Sequence, residues 1–371
     1  MVGNYCAEWG GVSAVMRNLT TGLRSDGHLV DILSTNGGMS GRALAMVRLV
    51  FRARNYDVLH VHGSSYIGIV TPYIVTLIGN LLHRPVVVTY HGWPRFAKAF
   101  TPTSHMVDAI TRRAAIVTTP IEASAECFRK NGMRAVGIPN PLVVSAWPFK
   151  KRPKIGPRLV STKTSLNPAV SVGALKAIRE KFPHATLDMC SYGATLEKLP
   201  QYTDVAGLTL HGFIPRYDLA KVLDRCDIYL NTVEDDSFGY RHFEAMAAGL
   251  AIVSVPNEAL ATYAGPEIVT FADTTPEAFA DAIMEVLDNP EATQKRIERG
   301  RAKVKEFTWE QLSPVWKDVY TYAMDRTGRL RNHRLSVCLN VLGWLIAAPI
   351  AYMVWLVYAP AYLWFRLMSQ K

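Results

Sequence analysis

The sequence predicts an α/β protein made of two similar halves, each a mainly parallel sheet with helices on both faces, followed by an apolar tail. Three observations carry this. Short apolar runs alternate with stretches of helical spacing along residues 1–325. A charged, Pro-bearing stretch from Lys150 to Gly156 separates two such series. The 31 residues 335–365 carry no charge at all. A chain of 371 residues has room for two ordinary domains and an appendage, and the expected boundaries are 1–149, 150–325 and 326–371. With 49% hydrophobic and 19% charged residues, disorder is not expected.

In the first half, Met1 to Tyr5 reads as a short first strand. Glu8-Trp9-Gly10-Gly11 is a turn that opens a helix over Val12 to Leu23, whose apolar positions Val12, Val15, Met16, Leu19 and Leu23 recur at helical spacing. Gly27-His28 turns into a strand from Leu29 to Ser34. A basic helix, Arg42 to Arg54, precedes the strand Asp57 to Val61. The next helix, Tyr66 to Leu82, is apolar but interrupted by Pro72 and Gly79, and its place between strands argues for a core helix over a membrane span. Strand Pro85 to Tyr90 runs into His91-Gly92. Strand Ala114 to Thr118, helix Ile121 to Asn131 and Ile138-Pro-Asn-Pro141 follow. Ligands in such sheets bind at the carboxyl ends of strands, where His62-Gly63 and His91-Gly92 both fall. One such His is as well explained by a structural role; two His-Gly pairs on one edge point to a site.

In the second half, strands are expected at 158–161, 185–190, 208–211, 227–230, 251–255 and 268–271. Helices are expected at 169–181, 217–225, 238–248, 276–287 and 290–307. Cys6, Cys127, Cys190, Cys226 and Cys338 are odd in number and widely spaced, as reduced thiols of a cytosolic domain would be. The net charge of +10 gathers in Lys150-Lys151-Arg152-Lys154 and in Arg326, Arg329, Arg331, His333 and Arg334. Neither run sits on a nucleic-acid module, so no nucleic-acid partner is expected.

The tail is longer than the ~20 residues that cross a bilayer and is rich in Trp and Tyr. A membrane-spanning helix, a kinked helix within one leaflet and a re-entrant segment all fit it. The arginine cluster before it puts the two domains on the cytoplasmic face of the cell membrane, although Arg366 and Lys371 beyond it pull the other way.

The stretch with the most chemistry is Asp236-Ser-Phe-Gly-Tyr-Arg-His-Phe-Glu244, followed by Ala-Met-Ala-Ala-Gly249. Eight residues on a helix span roughly 12 Å, too far for both carboxylates to hold one atom. Each can hold one end of an extended ligand whose phosphates lie against the helix N-terminus. A core helix with a solvated acidic start is the plainer alternative.

Together these residues resemble the GT-B glycosyltransferases of family 4. Gly10-Gly11 with its helix, Asp57-Val-Leu-His-Val-His62-Gly63, Val88-Thr-Tyr-His91-Gly92, Ile138-Pro-Asn140, Phe238-Gly239 with Glu244-Ala-Met-Ala-Ala-Gly249, and Phe307-Thr-Trp309 fall in the family's order over residues 1–325. The resemblance implies two facing Rossmann-like domains, a nucleotide diphosphate sugar as donor and retention at the anomeric carbon. It implies that Glu244 holds the ribose hydroxyls and Asp236 the donor-sugar hydroxyls. The backbone at Ser237, Phe238, Gly239 and Tyr240 would approach the sugar and phosphates. Gly10 and Gly11 would bring a loop of the first domain to the diphosphate, and His91 would sit beside the reacting carbon. No Asp-x-Asp motif occurs, so a metal-free reaction without a cofactor is expected. Asp236 stands where the family has Glu. Lys163 takes the place of the family's diphosphate-gripping Arg, without its fork, and no second Lys follows.

The expected function is a membrane-attached, retaining hexosyltransferase acting on a saccharide or lipid-linked acceptor in glycan assembly. A catalytically impaired, nucleotide-binding membrane scaffold is the alternative that Asp236 and the missing Lys motivate. A nucleotide-sugar epimerase fits the Phe-Gly and Glu-Ala-Met-Ala pattern less well.

Overall fold

The computed structural model describes residues 1–6, 10–64, 66–92, 102–162, 167–191, 195, 197–234 and 238–327. Its first sheet is β1 (Val2–Gly3), β2 (Leu33–Ser34), β3 (Leu59–Gly63), β4 (Val86–Tyr90), β5 (Ile116–Thr119) and β6 (Ala135–Gly137). The strands lie in the order β2-β1-β3-β4-β5-β6 and every pairing is parallel. Helices α1 (Gly11–Ser25), α2 (Gly38–Arg52), α3 (Val70–Leu81), α4 (Pro102–Arg113) and α5 (Glu122–Lys130) connect them. All five residues of β3 and of β4 are buried, as central strands covered on both faces must be.

Local chemistry moves several boundaries. The strand expected from Leu29 forms only at Leu33–Ser34, because Leu29 is exposed and the Val30 carbonyl accepts from Arg24 Nε at 3.1 Å. The apolar helix after β3 opens as a 3-10 turn, Tyr66–Ile69, before α3. Pro72 falls in the first turn of α3, where an N–H has no partner within the helix. A Cβ on Gly79 would lie 2.3 Å from Val86 Cγ2, so α3 crosses β4 at this glycine as a core helix. Helix α4 and strand β6 carry no clear period in the sequence and go unexpected.

The second sheet is β7 (Arg158–Ser161), β8 (Thr186–Cys190), β9 (Leu208–Gly212), β10 (Ile228–Asn231), β11 (Ala251–Ser254) and β12 (Val269–Phe271), ordered β12-β11-β10-β7-β8-β9 and parallel throughout. Its helices are α6 (Pro168–Lys181), α7 (Arg216–Arg225), α8 (Tyr240–Ala248), the short and unexpected α9 (Glu258–Tyr263), α10 (Pro276–Asp288), α11 (Pro290–Lys305) and α12 (Trp309–Thr327). The chain reverses direction across the sheet between β1 and β3 in the first domain, and between β7 and β10 in the second. Crevices that take ligands open at such switch points, beyond the strands' carboxyl ends.

Two features join the halves. The basic run read as a charged linker is docked, and Arg152 is buried. Its guanidinium donates to the carbonyls of Cys226 at 2.9 Å, Leu223 at 2.9 Å, and Ala248 at 2.8 Å, and lies against the carboxylate of Asp227. Helix α12 then leaves the second domain and packs on the first, where Leu312, Trp316, Val319 and Ala323 share a core with Leu19, Leu23, Val87 and Ile138. Among the described residues no helix is long and apolar enough to cross a membrane. The expected membrane segment, with the arginines from Arg329 on, lies outside the described residues.

Candidate active site

Two helices begin at the cleft between the domains, and among the described residues no side chain caps either start. Gly10, at φ 100°, precedes α1, and Gly239, at φ 71°, precedes α8; both are left-handed or otherwise positive-φ positions that suit glycine. Gly239 also explains why α8 starts at Tyr240 and not at Phe238. The first N–H groups of each helix are left for an anion. At Gly11 a Cβ would meet nothing within 4 Å, so this turn is open to a ligand.

The two helix starts pack together. Ala14 and Val15 of α1 share one core with Phe238, Tyr240 and Phe243. The Tyr240 hydroxyl donates to the Pro141 carbonyl at 2.6 Å, and Asn18 Nδ2 donates to the same carbonyl at 2.8 Å. The Pro141 carbonyl is therefore the seat of the second domain's helix on the first domain. Burial pushes the Tyr240 phenol well above its ordinary range.

Glu244 is buried on α8, with Arg241 Nη1 2.9 Å away on one side and Arg216 Nη2 3.1 Å away on the other. The Arg216 guanidinium lies over the Trp147 ring, 5.3 Å from its centroid. Arg17 of α1 feels both Arg216 and Glu244, and burial, reinforced by Arg216, depresses its pKa. Three arginines around one carboxylate leave this end of the cleft net positive, while the carboxylate stays available to hydroxyl donors.

His91 follows β4 and belongs to a row of rings. Its Nε2 lies 3.0 Å from Nδ1 of His62, which stacks on His60 with centroids 4.4 Å apart. His60 Nδ1 meets the Tyr320 hydroxyl at 2.8 Å, and its Nε2 meets Thr89 Oγ1 at 2.6 Å. Burial lowers the pKa of His91 to about 4 and holds His60 and His62 well below the ordinary imidazole value. All three rings are neutral at physiological pH, and His62 Nε2 is buried and finds no partner among the described residues. A neutral ring suits a hydrogen bond to a sugar hydroxyl better than charge stabilisation.

The structure thus brings Gly10, Gly11, Phe238, Gly239, Tyr240 and Glu244 to one cleft and places His91 at the end of β4. Asp236, Ser237 and Lys163 lie outside the described residues. Arg17, Asn18, Arg216 and Arg241 were not expected from sequence. Arg241 carried a signal, since it precedes Glu244 by three residues on one helix face. Arg216 carried none, because it comes from α7 and meets Glu244 only in the folded chain.

Residues 36–145 match the Glycosyltransferase Family 4 model and residues 173–313 the Glycosyl transferase-like model. A phosphatidyl-myo-inositol mannosyltransferase of Mycobacterium tuberculosis is 26% identical over 361 residues, covering 84% of this chain and 93% of that protein. A glycogen synthase of the same organism is 24% identical over 307 residues, covering 77% and 73%. Among solved structures, Anabaena HepE in complex with UDP superposes with a TM-score of 0.66 at 14% identity, over 86% of this chain and 98% of that one. Each half of the chain matches a glycosyltransferase model, and a GT-B architecture joins the halves, so the chain is a GT-B glycosyltransferase of the family 4-like kind.

Proposed function

We propose that the chain transfers a hexose from a nucleotide diphosphate sugar, with retention and without a metal, to a lipid-linked acceptor at the cytoplasmic face of a membrane. The observation that carries this reading is the pair of uncapped helix starts at Gly11 and Tyr240, packed together one turn from a buried carboxylate, Glu244. A nucleotide diphosphate has the matching polarity. Its ribose diol suits Glu244, and its phosphates suit the free N–H groups and the net positive arginines.

In the reaction the bond from the anomeric carbon to the diphosphate oxygen breaks. The acceptor oxygen bonds to the same face of that carbon, and its proton passes to the leaving phosphate. Positive charge and N–H dipoles aimed at the diphosphate stabilise the charge that develops there. His91, neutral and beside β4, orients the sugar through a hydroxyl. Asp236, Ser237 and Lys163 are assigned to the sugar and phosphates on the family pattern. Metal independence rests on the sequence, which has no Asp-x-Asp. A membrane acceptor is supported by the uncharged residues 335–365, the preceding arginines and relatives named for mannosyl transfer to phosphatidyl-myo-inositol and its dimannoside.

The test is a mass-spectrometric screen of the purified full chain against a nucleotide-sugar panel with membrane lipid extract. Nucleotide release with sugar incorporated into a lipid is the expected result, and the anomeric configuration of the product reports retention. Nucleotide binding without turnover would replace this reading with a scaffold, and sugar interconversion without incorporation would replace it with an epimerase.

A further inference from the structure

Buried central strands are normally apolar throughout, yet one face of the first sheet carries a column of polar side chains. His60 and His62 alternate on β3, and His91 follows two residues after Thr89 of β4. The parallel register sets both His62 and Thr118 beside Thr89. All five are buried. His60 is the ring held most firmly, because both of its nitrogens are engaged. Its Nε2 meets Thr89 Oγ1 at 2.6 Å, which in turn meets Thr118 Oγ1 at 2.6 Å, and its Nδ1 meets the Tyr320 hydroxyl at 2.8 Å. Tyr320 comes from α12. Trp316 of the same helix lies against both rings, with centroids 5.5 Å from His60 and 5.9 Å from Tyr320. Burial pushes the Tyr320 phenol well above its ordinary range, so it stays a neutral O–H.

The next ring has less to hold it. Among the described residues His62 has one side-chain hydrogen bond, the contact to His91, and its Nε2 finds none. The plane of a ring tied at one nitrogen is set by what lies on its faces. One face of His62 lies on His60, with centroids 4.4 Å and planes 24° apart. His91 continues the row, 5.3 Å further on and 10° from parallel. Close packing means that a buried ring turns only if its neighbour yields. The orientation fixed at the two nitrogens of His60 is therefore passed through His62 to His91. The outer support of the row is a single hydroxyl on the last described helix.

We infer that Tyr320 is a positioning residue for His91, acting through His60 and His62, so that the aim of the His91 ring depends on α12 being seated on the first domain. The consequence for catalysis rests on the role proposed for His91 beside the donor sugar. The geometric part, that the Tyr320 hydroxyl sets the His91 ring, does not depend on the transfer reaction.

The test compares Tyr320→Phe with Val319→Ala in the full chain. The first keeps the ring and its stack on Trp316 and removes only the hydroxyl. The second removes packing from the same seat of α12, where Val319 is buried, and leaves the hydrogen bonds of His60 in place. Heteronuclear NMR spectra of the histidine-labelled, donor-free protein report the His91 imidazole, assigned by its loss in His91→Gln. Tyr320→Phe should move the His91 ring signals, and Val319→Ala should leave them where they are. In the transfer assay Tyr320→Phe should lower kcat about tenfold with donor KM within about twofold of wild type, as a misaimed ring would, while Val319→Ala keeps the wild-type kcat. Unmoved His91 signals in Tyr320→Phe, an equal movement in Val319→Ala, or an unchanged kcat in Tyr320→Phe would each overturn the inference and leave Tyr320 a packing residue. If the wild type transfers no sugar, the transferase reading fails by itself, and the His91 spectra still decide whether Tyr320 aims the ring.

Discussion

Nδ1 of His62 lies 3.0 Å from Nε2 of His91, with the two rings 10° from parallel. Parallel register of β3 and β4, which pairs His62 with Thr89, brings the two rings side by side at the carboxyl ends of the strands. The contact fixes which nitrogen of His91 is committed to protein, so His91 has its Nδ1 left for substrate. His62→Phe should keep donor affinity and lower kcat about ten- to a hundredfold, as a misaimed ring would. Steady-state kinetics with a donor titration check this, and unchanged kcat would remove His62 from the machinery.

The same burial predicts an acid-sensitive fold. His91 has its pKa lowered from 6.5 to about 4 by desolvation. Between these values the unfolded chain binds a proton that the folded ring refuses. Stability is therefore fully present above the unfolded pKa and is lost as pH falls toward the folded one. His91 alone contributes a loss on the order of 3 kcal/mol across that window, and His60 and His62 act in the same direction. Urea titrations between about pH 7 and pH 4 measure it. Equal stability at both ends would mean that the rings are open to water.

Glu244 has two jobs that one substitution separates. Glu244→Ala removes the expected ribose acceptor and leaves Arg216 and Arg241 facing each other across the vacated carboxylate. Affinity for a nucleoside diphosphate should fall at least about tenfold, or ~1.4 kcal/mol. The fold should lose about 3 kcal/mol because the pair is broken on its buried side. Calorimetric titration reads the first and chemical unfolding the second. Intact nucleotide affinity in a destabilised protein would make Glu244 structural only.

Asp227 has no exposed side-chain surface and accepts from Arg158 Nε at 2.6 Å, Arg158 Nη2 at 2.8 Å and the Gly156 amide at 3.1 Å, with Arg152 Nε 3.4 Å away. Arg152 in turn satisfies carbonyls at the ends of α7 and α8. Asp227→Asn should cost about 3 kcal/mol and lower Tm on the order of 10 °C. Differential scanning calorimetry checks it. A shift within about 2 °C would show that the linker is held by its backbone alone.

Gly22 tests whether α12 is seated on the first domain in solution. A Cβ there would fall 2.1 Å from Cδ2 of the Trp309 ring. In an undocked helix, Gly22→Ala would raise stability by about 1 kcal/mol through helix propensity. With α12 docked the ring or the helix must shift, and the same change should cost ~1–3 kcal/mol. The sign of the change in unfolding free energy decides between the two.

Local pattern made much of the second domain legible. Strand Arg158–Ser161 falls where its apolar run predicts, and the others shift by a residue or so, since a buried parallel strand is a continuous apolar run. Helices α10 and α11 begin where Pro276 and Pro290 announce them. The first domain was less legible. Val30 and Asp31 look like strand, but their carbonyls are taken by the Arg24 side chain and the Met1 amino group. The 3-10 opening before α3 was hidden in a uniformly apolar stretch.

What the sequence determined by itself was the α/β class, the two halves, the glycine turns at Gly10 and Gly239, and the motif around Glu244. Each is set by residues close in the chain, through periodicity or through backbone conformation. Only tertiary structure decided that Arg216 reaches Glu244, that Arg152 is a buried tie, that Tyr240 seats on Pro141, and that α12 returns to lay Tyr320 on His60. Those outcomes depend on which surfaces meet across tens to hundreds of residues, and a local pattern of hydrophobic and charged residues carries no record of its partner.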